Sequence, residues 1–404
     1  MSFIYNNAVK YSDSPNLDAF GRLRVSEITS LLEVSQVYDK RPYIVDEVTG
    51  GTVTSIHSTT NAEVVMSGTG LNSYVIRQTY NYAIYQPGKS QIFEASFSNF
   101  QLESNVIKRV GYFNAHSGST YTDDIDGFFL ESNGVTNTIS FQIWKYGSLT
   151  YSADTTTWSN SEFDPSSIIW NKTNLMIVDF QWLGVGRVRF GLVLGGITYY
   201  FTEFTAANNI STVYMSSPNK PIRYELRCLN GTGSFNMICS QVSMEGSLNQ
   251  LIIPAGIVGP SSQVTFATAG TKYPFIGIKM APGFEDVSPI LQNIQILNTS
   301  NDNYYCTVEI DPVISGSYSF TASSQSEILK SIGDGTQTVT STNPIFATFI
   351  GESGSAALSS FDLLNSQVNA GSNIDGSAQE LWICITPLGA NATFFGSLNL
   401  YYRK

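Results

Sequence analysis

From about Gly50 onward, apolar and polar residues alternate in short runs separated by Gly, Asn, Ser and Asp. Tyr74, Ile76, Tyr80, Tyr82 and Ile84 take turns with Arg77, Thr79 and Asn81, as in a strand with one buried face. Further strands are predicted at Phe93-Ala95-Phe97, Ile139-Phe141-Ile143, Leu175 to Trp182, Val188 to Leu194 and Ile197-Tyr199-Phe201. The cleanest alternation sets Ile222, Tyr224, Leu226 and Cys228 against Arg223, Glu225 and Arg227. With Asn230-Gly231 next and Phe235-Met237-Cys239 beyond, this stretch predicts a hairpin.

Residues 1–50 carry little periodicity and mix Asp, Asn, Arg and Pro, which predicts an extended arm ordered by whatever it lies against. Within it, Ser26 to Asp39 predicts a short helix capped by Ser26, against the β-branched Val34 and Val37. Ser247 to Gln263, with Pro254, Gly256, Gly259 and Pro260, is expected to be a linker. A second alternating region follows at Tyr304 to Ile310, Phe346 to Ile350, Leu381 to Ile385 and Phe394 to Tyr402, with short helices expected at 326–332 and 358–366.

Many short strands with polar turns predict an all-β chain. Its expected parts are the arm at 1–50, a large antiparallel jelly-roll or lectin-like β-sandwich at 51–248, and a second, smaller β-sandwich domain at 249–404.

Composition narrows the function. Charged residues are 13% of 404, about half the ~25% usual for soluble domains, which makes a neutral-polar surface. The net charge of −11 opposes a nucleic-acid groove, and after residue 250 the one arginine is Arg403. The chain lacks an apolar run of the ~18–20 residues needed to cross a bilayer, so a soluble product of a host cytoplasm without membrane insertion is expected. Cys228, Cys239, Cys306 and Cys384 form no Cys-x-x-Cys pair and are expected to be small buried apolar residues.

Chemistry has few places to reside. Pro87-Gly88-Lys89-Ser90 ends like a phosphate-binding loop, but Ala83 replaces its first glycine and a strand follows, so a tight turn is expected. His57 and His116 are the only histidines, and neither belongs to a metal-spaced pair. Asp179, between Val178 and Phe180, has two readings: one acid of a carboxylate pair acting on sugars, or an ion pair with Arg187 or Arg189 inside a sheet. Asp123, Asp124 and Asp126 suit either a Ca²⁺ loop or a plain turn. Tyr80, Tyr82, Tyr85, Tyr199 and Tyr200 suit core packing, or stacking on sugars or protein partners. No cofactor, catalytic residue or metal site is predicted.

Two stretches stand out. Asp18-Ala19-Phe20-Gly21-Arg22-Leu23-Arg24-Val25-Ser26-Glu27 resembles the DAFGRLRVSEP signature of a family of bacteriophage virion structural proteins. Asp179 to Gly191, which holds Trp182, Gly184, Gly186, Arg187 and Arg189, resembles another block of that family. So do Arg77-Gln78-Thr79, Tyr85 to Ser90, Arg109 to Phe113, Asp126 to Phe129 and Pro221 to Glu225, in the same order. The chain departs at Ile28, where the signature has proline.

The resemblance implies a non-enzymatic part of a phage head or tail, such as a capsid decoration protein, located in the virion and docked on other virion proteins. It further implies a homo-oligomer, with Asp18, Phe20, Arg22 and Arg24 as arm and assembly contacts. Asp179, Trp182, Gly184, Gly186, Arg187 and Arg189 would form a structural sheet signature. The alternative is a glycan-binding adhesin or tail-fibre-type receptor-binding protein that recognises a host surface glycan. A polysaccharide-degrading enzyme is the third reading.

Overall fold

The computed structural model describes residues 16–40, 44–115, 123–183, 186–247, 252–300, 302–323, 327–341, 344–350 and 370–403. Among them the regular structure is β, apart from one 3₁₀ turn at Pro165–Ser167. The first part contains β1 (Ile28–Ser35), β2 (Ile44–Thr49), β3 (Thr52–Ser58), β4 (Glu63–Thr79), β5 (Gln91–Ser98), β6 (Val106–Ala115) and β7 (Ile125–Asn133). It continues with β8 (Thr138–Lys145), β9 (Ser148–Asp154), β10 (Asn174–Phe180), β11 (Arg187–Leu194), β12 (Ile197–Thr205) and β13 (Ile222–Glu245).

All these strands pair antiparallel in one hydrogen-bonded network folded into two layers. One layer runs β12-β11-β10-β5 and takes in the C-terminal half of β13, with β1 on its other side. The second runs β9-β8-β7-β6 and takes in the N-terminal half of β13, followed by β4 and β2. Aromatic rings fasten the layers together: Phe128 of β7 lies 5.0 Å from Phe180 of β10, and Phe141 of β8 stacks 4.9 Å from Phe190 of β11. Each such fully buried ring contributes roughly 1.5–3 kcal/mol. The expected antiparallel sandwich is present.

Three local expectations in this part are corrected. Asn230-Gly231 makes no hairpin, because β13 runs straight through it as a 24-residue strand. The 17-residue β4 supplies a continuous partner, with Asn230 opposite Leu71 and Gly231 opposite Gly70, so the backbone groups are satisfied without a reversal. Cys228 consequently faces Ser73.

The helix expected from Ser26 to Asp39 is instead β1, which pairs with β13 from Ile28–Glu245 to Ser35–Cys239. The open edge of β13 offers a full ladder of partners, and Ile28 and Val34 favour it. Cys239 is exposed, whereas Cys228, Cys306 and Cys384 are buried. Residues 1–15 of the expected arm lie outside the described residues. From residue 16 the arm does lie against something, and that surface is this chain's own sheet.

The second part holds β14 (Ile252–Val258), β15 (Val264–Phe266), β16 (Tyr273–Met280), β17 (Ser288–Asn298), β18 (Tyr304–Ile310) and β19 (Val313–Ser315). It ends with β20 (Thr321–Ala322), β21 (Ile328–Ile332), β22 (Thr338–Ser341), β23 (Pro344–Ile350), β24 (Leu381–Pro387) and β25 (Ala392–Arg403). A sheet of β14-β25-β15, with β17 also on β25, faces a sheet ordered β20-β21-β16-β24-β18-β23. Between them Phe394 meets Tyr304 at 4.8 Å and Phe266 at 5.5 Å. β19 and β22 pair separately.

The expected linker is therefore partly a strand. β14 pairs with β25, and a register shift between Pro254 and Gly256 accommodates the proline on an edge. The helix expected at 326–332 is β21, paired with β16; the one at 358–366 lies outside the described residues.

The two parts touch through residues 370–376. Ser372 donates its N–H to the Tyr80 carbonyl (3.0 Å), and the Arg223 guanidinium reaches the Ile374 carbonyl (3.3 Å). Gly371 lies so close that a Cβ there would stand 1.9 Å from the Tyr80 oxygen.

Candidate functional site

The two stretches singled out in the sequence meet in space. Residues 16–24 fold into a small reversal in which Leu17 bridges Leu23, and Gly21 (φ +77°) supplies the left-handed corner. Asp18 explains the local sequence. Its Oδ1 accepts from the N–H groups of Phe20 (2.9 Å) and Arg22 (2.7 Å), and its Oδ2 accepts from Arg22 Nε (2.7 Å). The Asp-Ala-Phe-Gly-Arg run is thus a self-capped turn.

This turn is fastened to β10 and β11. Asp179 and Arg189 face each other in register and form an ion pair, with Arg189 Nε at 3.1 Å from Oδ2. Arg24 reaches the same Oδ2 at 2.9 Å and Glu245 Oε1 at 3.0 Å, which ties the turn to the end of β13. Ser90 Oγ donates to Asp179 Oδ1 (2.7 Å) while accepting from the Ala19 N–H (3.2 Å). Arg189 also donates to the Leu17 carbonyl (2.6 Å), and Arg24 Nε donates to that same oxygen (3.1 Å). Asp18, Asp179 and Arg189 are almost wholly buried.

Arg187 sits nearer the rim, 3.3 Å from Glu203 and 3.4 Å from the Asp18 carbonyl. Trp182 donates its indole N–H to the Met215 carbonyl (3.0 Å) and meets Tyr85 edge-on. Gly186 has to be glycine, since a Cβ there would stand 1.5 Å from the Gln181 carbonyl oxygen. Gly184 lies outside the described residues.

The electrostatics fit a structural latch. Burial pushes the Glu245 carboxyl above the usual carboxylate range, against the pull of Arg24. Burial, reinforced by the Asp179 charge, raises the Tyr200 hydroxyl, whose ring lies 4.2 Å from the Arg189 guanidinium. Both Asp179 oxygens are engaged under the turn, so the ion-pair reading of this residue holds, with Arg189 as partner. Sequence reasoning left Arg187 and Arg189 open as the partner and missed Ser90 and Glu245. Ser90 was visible only as the end of a turn and of one resembling block, and nothing local marks Glu245.

The remaining candidates scatter. Pro87-Gly88-Lys89-Ser90 is a tight turn, with Lys89 N–H on the Gln86 carbonyl (3.1 Å). Asp126 pairs with Lys220 (2.6 Å) while Asp123 pairs with Arg109 (2.9 Å). No group of three metal-binding side chains converges among the described residues. His57 contacts the Gln36 carbonyl (2.6 Å), and His116 lies outside the described residues. Tyr82 and Tyr85 are buried, while Tyr80, Tyr199 and Tyr200 are half-buried.

Outside the latch the same segment shows apolar side chains to solvent. Phe20, Leu23, Val25 and Ile28 are all exposed, Val25 by 87%, and the Arg22 guanidinium lies over the Phe20 ring at 4.3 Å.

No protein-family model matches the chain, and no curated protein matches it. Among solved structures, the Emp47p carbohydrate recognition domain aligns at 11% identity over 55% of this chain and 97% of its own, with a TM-score of 0.35. A protein of unknown function with a galectin-like fold from Bacillus subtilis aligns at 11% identity over 55% and 100%, with a TM-score of 0.35. A Bacillus licheniformis beta-glucanase aligns at 10% identity over 55% and 99%, with a TM-score of 0.34.

Proposed function

We propose that this chain is a non-enzymatic structural subunit of a bacteriophage particle, seated on the head as a decoration protein or on the tail, where it docks on other virion subunits. The observation that carries this reading is the division of labour inside the N-terminal signature. Of its charged residues, Asp18 and Arg22 pair with each other and fix the turn, and Arg24 fixes the segment to β10 and β13. Its apolar residues Phe20, Leu23 and Val25 are left facing solvent. A rigid base with an apolar outer face is what a docking segment requires, because an ordered patch binds without a further ordering cost. The sequence resemblance to virion proteins supports the same reading.

The test uses Leu23→Lys with Val25→Lys, which touches neither the ion pairs nor the core. The double variant is expected to keep its melting temperature and to fall at least ~10-fold in copies per purified particle, a loss of docking free energy of about 1.4 kcal/mol. Undiminished incorporation, or absence of the wild-type chain from particles, overturns the proposal.

A further inference from the structure

A cleft of about 630 Å³ opens on the outer face of the six-stranded sheet, away from the latch. Its size falls within the ~300–1,000 Å³ usual for small-molecule sites. Its floor is organised around Glu380, immediately before β24. The Glu380 N–H donates to Asp311 Oδ1 (2.7 Å), and the Asp311 N–H returns a bond to the Glu380 carbonyl (2.8 Å). The Glu380 carboxylate accepts from the Trp382 indole N–H (3.0 Å), the Tyr318 hydroxyl (3.1 Å) and Lys279 Nζ (3.2 Å). Three side chains therefore hold the carboxylate, and Asp311 holds the backbone that carries it.

Aromatic rings form one wall. Tyr318 and Phe320 stand edge-on to the buried Trp382, at 5.4 and 5.7 Å. Trp382 lies flat over the opposing strand because its register partner is Gly277, where a Cβ would meet the indole at 2.6 Å. Tyr318 is exposed, and Met280, Leu329, Ser319 and Ser377 complete the lining with Glu285.

We propose that this cleft binds a neutral saccharide. The wall offers the exposed Tyr318 ring for the C–H face of a sugar, and the carboxylates and the ammonium offer acceptors and a donor for its hydroxyls. The charges select against anions. Lys279 and Glu380 offset each other, and Glu285 adds a negative charge that repels anionic ligands. A cationic ligand finds the Phe320 ring already covered, since Lys279 Nζ lies 4.3 Å from its centroid. This site is separate from the virion-docking face, so it stands or falls independently of that proposal.

The experiment screens the full chain on an array of neutral oligosaccharides, then measures saturation-transfer NMR with lactose, maltotriose and triacetylchitotriose beside sialyllactose and choline. A neutral sugar is expected to bind saturably. Tyr318→Ala, an exposed position, is expected to weaken it at least ~10-fold with the melting temperature unchanged. Glu380→Gln is expected to weaken it too, and Tyr199→Ala in the N-terminal sandwich to leave it intact. Failure of every neutral glycan to bind, binding that survives Tyr318→Ala, or preference for sialyllactose or choline overturns the assignment.

Discussion

Asp179 illustrates how much a single buried charge can demand of its surroundings. Two arginines and one serine hydroxyl converge on it, and the arginines come from segments more than 150 positions apart. Removing the carboxylate leaves the buried Arg189 without its counter-charge and Arg24 with Glu245 alone, and breaking a buried pair in this way costs ~3–5 kcal/mol. Asp179→Ala is thus expected to lower the unfolding free energy measured in urea by that margin and to make the N-terminal segment an early site of proteolysis. A loss below ~1 kcal/mol would mean the pairs are no better than surface ones. The ion pair was legible as far as an arginine of the neighbouring strand, Arg187 or Arg189, because the strand pattern placed them beside Asp179; the register chose Arg189. The Arg24, Ser90 and Glu245 contributions were not legible, since they depend on where distant segments come to rest rather than on any local period.

At the scale of the strand, β13 shows where alternation succeeds and where turn chemistry misleads. Ile222, Tyr224, Leu226 and Cys228 point inward as the pattern demanded. Past the glycines the inward set moves to Phe235 and Met237, and a bulge before Cys239 shifts it again to Val242 and Met244. The second change of phase leaves Cys239 on the solvent side, which alternation carried on from Phe235 and Met237 does not give. Asn230-Gly231 carries the commonest hairpin dipeptide, yet its glycine serves close approach. A Cβ on Gly231 would stand 2.3 Å from the Ser104 carbonyl oxygen. Asn230→Val, at an exposed site, is expected to stay within ~0.5 kcal/mol of wild type. Gly231→Ala is expected to cost ~1–3 kcal/mol by forcing that neighbour away. Denaturant melts of the two variants separate a through-going strand from a turn, where the order of sensitivity would reverse for a type I′ corner only if Asn230 needed its left-handed preference.

Across the whole molecule, the all-β architecture and the presence of a second β region were readable from periodicity and turn residues. The seam between the two parts was not readable. It is built from the Ser372 N–H on the Tyr80 carbonyl and from carbonyls of 373 and 374 on the Gln78 and Arg223 side chains, and backbone groups leave no trace in a residue pattern. Gly371→Val pushes a side chain into that seam. Calorimetry is expected to show one transition for the wild type and two for the variant, with the circular dichroism unchanged; a single unshifted peak would show that the seam contributes nothing to cooperativity. β13 gives the N-terminal sandwich a further property. One half of this strand is a rib of one layer and the other half a rib of the opposite layer. Peeling either layer away would tear the same backbone out of both, so a sideways load on one surface is shared with the other through covalent bonds and not through ring contacts alone.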